Sequence, residues 1–264
     1  MNYYIVDAFT DKLFKGNQAG VCLLEEWLDT ELLQNIAAEN NLAETAFVVK
    51  REGHYDLRWF TPESEFDLCG HATLASAFVI SNFVDKNAEV IRFETKSGTL
   101  TVTKKGELFE MDFPSRPPKP VPVVPEMAKA IGAPVSEAHL SRDLMLLVEG
   151  EENVRSLSPD MQLIKKIPNA NVGVIVTAKG ETCDFVSRYF STDLELMALE
   201  DPVTGSAHCT LIPFWRERLG KNKMLAKQLS KRGGTIICED CGDRVKISGN
   251  AVLYLQGKIR AKHV

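Results

Sequence analysis

The sequence predicts an α+β protein built from two similar halves, and three observations carry that reading. Short β-rich runs bounded by Gly, Asn, Asp or Pro dominate the chain from end to end. Each half holds one stretch, after Gly70 and after Gly205, that is apolar nearly all round and reads as a buried helix. Each of these stretches follows a short polar run ending in glycine, Asp67-Leu68-Cys69-Gly70 in one half and Glu200-Asp201-Pro202-Val203-Thr204-Gly205 in the other. Strands curled around one helix, twice over, fit this order better than βαβ alternation does.

In chain order, Tyr3–Phe9, Ala19–Leu24, Thr45–Val49 and Tyr55–Phe60 are read as strands. Among them, Asp29–Glu39 sets Leu32, Leu33, Ile36 and Ala37 at helical spacing behind an Asp-Thr start. Gly70–Phe83 is the first buried helix, and Val90–Thr95, Gly98–Lys104 and Leu108–Phe113 follow as strands. Five prolines between Phe113 and Pro122 can continue neither a ladder nor a helix. That stretch is read as a linker, dividing a domain of residues 1–116 from one of 117–264. The second half is organised like the first, with a helix at Pro125–Ile131, strands at Asp143–Glu149, Asn171–Thr177 and Cys183–Phe190, and a buried helix at Gly205–Leu219. A meander from Thr235 to Ala261 closes the chain, and its last strand is free to return to the first domain.

The 264 residues suffice for one large domain or two ordinary ones, and 44% hydrophobic with 25% charged residues is a globular composition. A net charge of −5 argues against a nucleic-acid partner, and Lys221, Lys223, Lys227, Lys231 and Arg232 read as a solvated face. The start, Met1 to Asp7, lacks a basic n-region and carries an acid where a signal peptide would be apolar. Ala72–Val84 is too short and too interrupted to span a bilayer, so the expectation is a cytoplasmic protein with no membrane partner. Cysteines at 22, 69, 183, 209, 238 and 241 are too dispersed for a disulfide framework. Cys238-Glu239-Asp240-Cys241 offers two of the roughly four ligands a zinc site needs, and fits a hairpin turn, so no metal is expected. No GxGxxG or Walker-type loop supports nucleotide binding.

The chemistry gathers at the glycine turns. A helix start presents unpaired N–H groups and a partial positive charge, so the turns at Gly70 and Gly205 suit an anionic ligand. Glu44 stands at a strand entry among small and apolar residues, where partial desolvation suits a carboxyl to proton transfer. A turn acid ending the preceding helix is the plainer alternative. Asp201, held extended by Pro202, is equally what a helix cap would be. His71 is placed to exchange a hydrogen bond with a ligand or to cap, and Ser206 has the same choice. No Gly-x-Ser-x-Gly elbow surrounds Ser206, so it is not read as a nucleophile. Cofactor-independent racemases use two thiols. Cys69 is one candidate, but Pro202-Val203-Thr204-Gly205 supplies no second, which disfavours that mechanism.

Taken together, several ordered motifs resemble the PhzF family, the phenazine-biosynthesis-like isomerases related in fold to diaminopimelate epimerase. They are Asp7-Ala8-Phe9-Thr10, Gly16-Asn17-Gln18-Ala19-Gly20, Glu44-Thr45-Ala46-Phe47, Phe60-Thr61-Pro62 with Glu65, and Asp67 to Thr73. Phe113-Pro114, Arg188-Tyr189-Phe190 and Glu200 to Ala207 continue the match to the far half. The resemblance implies two epimerase-like halves, each a strand barrel around a central helix, with the active site between them. It further implies a homodimer, no cofactor and a small carboxylate substrate. In the phenazine enzyme a glutamate moves a proton between carbons of dihydro-hydroxyanthranilate, and the matching residue here is Glu44. His71 and Asp201 match its supporting groups. Asn17, Gln18, Gly70, Thr73, Gly205 and Ser206 match positions that hold the substrate. The chain departs from the family pattern at Ser191–Leu199, where a Pro and a Gly-Ile are usual. A non-catalytic binding or regulatory protein on the same fold is the alternative of a different class.

Overall fold

A computed structural model of the chain describes residues 1–192 and 199–261. It divides into two compact units, one of Met1–Asp112 with Ser248–Val264 and one of Phe113–Ile247. The division thus falls at 112/113, against 116/117 from the prolines, and the last 17 residues (248–264) belong with the first unit. No helix among the described residues is long and apolar enough to cross a membrane.

The first unit runs β1 (Asn2–Ala8), β2 (Asn17–Leu24), α1 (Thr30–Asn40), β3 (Glu44–Lys50), β4 (Tyr55–Phe60), β5 (Glu65–Phe66) and α2 (Gly70–Val79). It continues through β6 (Val90–Thr95), β7 (Gly98–Lys105) and β8 (Leu108–Pro114). β1 and β2 are antiparallel, β2 and β3 parallel, β3 and β4 antiparallel, β4 and β6 parallel. Strand alternation sorts the side chains into two layers. Phe47 and Phe60 join Leu33 and Ile36 of α1 in one cluster. Glu44 and Ala46 therefore point to the opposite face of β3, toward α2, which packs on β1, β2 and β3.

α2 is buried on nearly every side, which its many small residues (Ala72, Ala75, Ser76, Ala77) permit. Its hydroxyls are absorbed by the helix itself: Thr73 Oγ1 donates to the Cys69 carbonyl at 2.5 Å and Ser76 Oγ to that of Ala72 at 2.7 Å. The sequence predicts one helix to Phe83, but the last turn, Ile80–Val84, is π-helical. There Asn82 Nδ2 donates to the Phe78 carbonyl at 2.7 Å and the Asp85 N–H closes on the Ile80 carbonyl.

The second unit holds β9 (Lys119–Val121), α3 (Pro125–Ile131), β10 (Glu137–Leu140), β11 (Leu144–Leu147), α4 (Glu151–Arg155) and α5 (Met161–Ile164). β12 (Gly173–Lys179), β13 (Phe185–Ser191), β14 (Glu200–Asp201), α6 (Gly205–Leu219), β15 (Lys223–Gln228), β16 (Gly234–Asp240) and β17 (Arg244–Gly249) follow. The pairing order of the first unit recurs: β10 and β11 antiparallel, β11 and β12 parallel, β12 and β13 antiparallel, β13 and β15 parallel. The proline stretch is not all linker. Lys119–Val121 pairs with β10, with Pro120 opposite His139, an edge position that a residue without an N–H tolerates. Cys238 lies inside β16 and Cys241 in the turn before β17. α6 contains Pro213, so the Cys209 carbonyl has no intrahelical donor; the Arg116 N–H supplies one at 2.9 Å. Finally β18 (Ala251–Lys258) lies antiparallel to β1 in the first unit.

One device appears in both units. Arg58 forks onto Glu65 at 2.7 and 2.9 Å and lies 5.0 Å from the Phe60 ring centre. Arg188 forks onto Glu200 at 2.6 and 2.8 Å and lies 5.0 Å from Phe190. In each case a planar guanidinium pins the short strand that leads into the buried helix.

Candidate active site

In the first unit the loop after β1 delivers Asn17 to the head of β2. Its backbone is left-handed at Phe9, Phe14 and Gly16 (φ 61, 67 and 64°), and the Phe14 N–H is held by Asp7 Oδ2 at 2.9 Å. The motif Asp7-Ala8-Phe9 is thus the mould for the turn. Asn17 Nδ2 then lies 3.2 Å from His71 Nδ1. His71 sits one residue inside α2, and its other nitrogen, Nε2, lies 3.0 Å from Glu44 Oε2. That contact has the separation of an ion pair without the alignment of a good hydrogen bond. Both side chains are largely withdrawn from water, 6% exposed for His71 and 17% for Glu44. Cys69, the residue before the helix, sets its Sγ 3.5 Å from His71 Nδ1.

The imidazole is pulled two ways. Burial alone would push its pKa down, but the Cys69 sulfur and the Glu44 carboxylate beside it outweigh that and hold it well above the usual value. The Cys69 thiol is itself pushed up, by burial first and by Glu44 second, so it stays protonated near neutrality. The donor atoms of Glu44, Cys69 and His71 lie within 4.8 Å of one another, a set with the chemistry to hold a metal. Yet the ring turns a different nitrogen to each neighbour, which suits passing protons along a line better than converging on one ion.

In the second unit Asp201 and the start of α6 form a closed knot. Thr204 Oγ1 donates to Asp201 Oδ2 at 2.5 Å, and Gln228 Nε2 to the Asp201 carbonyl at 2.7 Å. Gln228 Oε1 accepts from the Thr204 N–H at 2.9 Å. His208 donates from Nδ1 to the Thr204 carbonyl at 2.8 Å, and burial lowers its pKa to about 4. Among the described residues no side chain caps α2 or α6, which leaves first-turn N–H groups for a ligand.

The sequence-derived residues thus fall into two groups, each within its own unit. Glu44, His71 and Asn17 meet; Gln18 follows Asn17 in β2, and Gly70 opens α2. Thr73 has its hydroxyl proton committed to the Cys69 carbonyl, so its donor is spent on the helix. Asp201, Gly205 and Ser206 stand at the α6 start. The segment that departs from the family pattern has its middle, 193–198, outside the described residues. Gln228 was not legible in the sequence, because it is a lone polar residue at a strand end 24 positions past Thr204.

Known proteins share sequence and fold with this chain. A family model described as phenazine biosynthesis-like protein, PhzC-PhzF, matches residues 6–257. An uncharacterized isomerase of Pseudomonas aeruginosa is 46% identical over 98% of both chains. The crystal structure of a PhzF-family phenazine biosynthesis protein from Enterococcus faecalis superposes with a TM-score of 0.96 at 49% identity, covering 98% of this chain and 99% of that one. A probable proline racemase from Agrobacterium radiobacter, 11% identical, covers 99% of this chain and 93% of its own with a TM-score of 0.62, a likeness of fold alone.

Proposed function

Since the chain belongs to the phenazine biosynthesis-like PhzC-PhzF family, we propose that it is a cofactor-independent isomerase or epimerase that moves a proton on a small carboxylate, with Glu44 as general acid and base. The observation that carries this reading is the pairing of Glu44 Oε2 with His71 Nε2 at 3.0 Å in a largely dry setting at the head of α2. The imidazole there stands beside the carboxylate that accepts the proton. In the reaction a substrate C–H bond breaks, the proton joins the Glu44 carboxylate, and the electron pair left on carbon spreads into the substrate's conjugated carboxylate. Glu44 then delivers a proton, the one it took or one exchanged with solvent meanwhile, to the new carbon; inversion at a single carbon instead takes its proton from solvent on the opposite face. First-turn N–H groups of α2, at Gly70, stabilise the developing negative charge, and those of α6, at Gly205, are the matching anion site of the second unit. Asp201 and Ser206 are binding residues at the start of α6 in the second unit, and Asn17 and Gln18 are binding residues at the head of β2 in the first. The working form is a homodimer, checked by sedimentation at twice the chain mass; a monomer removes that part of the reading.

The two-thiol reading is weaker on two counts. Cys69 is buried with its pKa raised, and the residue before α6, in the place Cys69 has before α2, is Thr204, whose proton goes to Asp201. The test is solvent exchange: in heavy water, a panel of small cyclic and acyclic amino and hydroxy acids is incubated with the protein and read by mass. One class gains deuterium if the reading holds. A panel that never exchanges favours a binding role without turnover.

A further inference from the structure

The duplication shows what replaces Glu44 in the second unit. Phe60 and Phe190 occupy equivalent places, each under its forked arginine. Phe60 pairs with Thr45 and Phe190 with Val174. Glu44, one residue before Thr45, therefore corresponds to Gly173, one before Val174. Gly173 is glycine for a reason: a Cβ there would lie 2.2 Å from the Tyr189 hydroxyl oxygen. The phenol fills the place of the missing side chain and donates to Asp143 Oδ1 at 2.9 Å. Asp143 precedes β11, whose register sets it beside Gly173 as Ala19 is set beside Glu44.

Asp143 is 1% exposed, and its Oδ2 has no hydrogen-bond partner among the described residues. A buried carboxyl oxygen with nothing donated to it is costly, unless a ligand supplies the donor. The strand heads around it reach the surface, with Arg142, Asn171 and Val172 exposed. Burial also raises the Asp143 pKa, against the influence of Arg142 and Arg116, so a donated hydrogen bond would relieve a strained acid.

We propose that Asp143, oriented by Tyr189 across Gly173, is a second polar subsite that accepts a hydrogen bond from an amino or hydroxyl group of a small carboxylate ligand. This rests on the reading of the substrate as a small carboxylate, and adds the group beside the carboxylate that is recognised. Tyr189 is the positioning residue, since its hydroxyl fixes one carboxyl oxygen and so aims the other.

The test uses the full chain labelled with carbon-13 at tyrosine Cζ, the Tyr189 resonance being assigned by its absence in Tyr189→Phe. It is titrated with alanine, lactate and propionate, which share a carbon skeleton and carry an ammonium, a hydroxyl and neither. Alanine or lactate is expected to saturate the shift at a concentration about tenfold or more below propionate. Asp143→Asn should abolish that preference. Equal behaviour of the three acids, no saturable shift with any of them, or a preference that survives in Asp143→Asn overturns the proposal. A purely structural pair would lower the melting temperature of Asp143→Asn without touching the preference. Glu44→Gln separates the two readings: it is expected to keep the preference whether or not solvent exchange is lost.

Discussion

Two buried histidines near helix starts, His71 and His208, carry opposite electrostatics because only one has an acid beside it. His71 has its pKa raised in the fold, so its contribution to stability is full below its unfolded value of about 6.5 and is lost as pH rises through the raised one. His208 is depressed to about 4, so the unfolded chain takes the proton first. Its contribution is full above about pH 6.5 and falls away toward pH 4, on the order of 3 kcal/mol in all. Urea midpoints measured against pH should show His208→Asn flattening the slope between those values, and an unchanged slope would contradict the burial account. Both histidines are visible in sequence beside their glycines. Their charge states were not, since those depend on what β3 and β13 bring alongside.

At the scale of elements, most strands were legible within a residue or two because burial alternates along them, as in β6, where Ile91 and Phe93 are buried between exposed Val90, Arg92 and Glu94. The exceptions have local causes. The π-helical end of α2 comes from Asn82 and its neighbours competing for backbone carbonyls, and β9 from a sheet edge that tolerates Pro120. The small helices α4 and α5 carry too few residues for a periodic pattern. The loop before β2 yields a sharper prediction. Gly16 has φ +64°, and a Cβ there would lie 2.1 Å from the Ala8 carbonyl oxygen. Gly16→Ala should therefore cost about 1–3 kcal/mol and displace Asn17 from His71. Thermal unfolding, together with the His71 ring-nitrogen shifts, checks both parts, and a variant as stable as the parent would show that the turn is not strained.

For the whole molecule, the first unit is completed by the end of the chain, because β18 pairs with β1 from Asn2↔Lys258 to Ala8↔Ala251. Removing residues 251–264 should leave β1 as an edge, so that its amides lose hydrogen-exchange protection while those of β12 and β13 in the second unit keep theirs. Uniform loss in both units would contradict two separate cores. The duplicated architecture was legible as two helices behind two glycine turns. The residues that break its symmetry were not, because Gly173 and Tyr189 acquire their meaning only from a strand register. Under the proposed function, Glu44 carries the proton transfer and the turns hold the anion. The most direct test is deuterium incorporation into an exchanging small acid, compared between Glu44→Gln and Cys69→Ala. The account predicts that exchange falls by about two orders of magnitude or more in Glu44→Gln and survives in Cys69→Ala. Exchange that persists in Glu44→Gln and vanishes in Cys69→Ala would contradict it and assign the chemistry to the thiol.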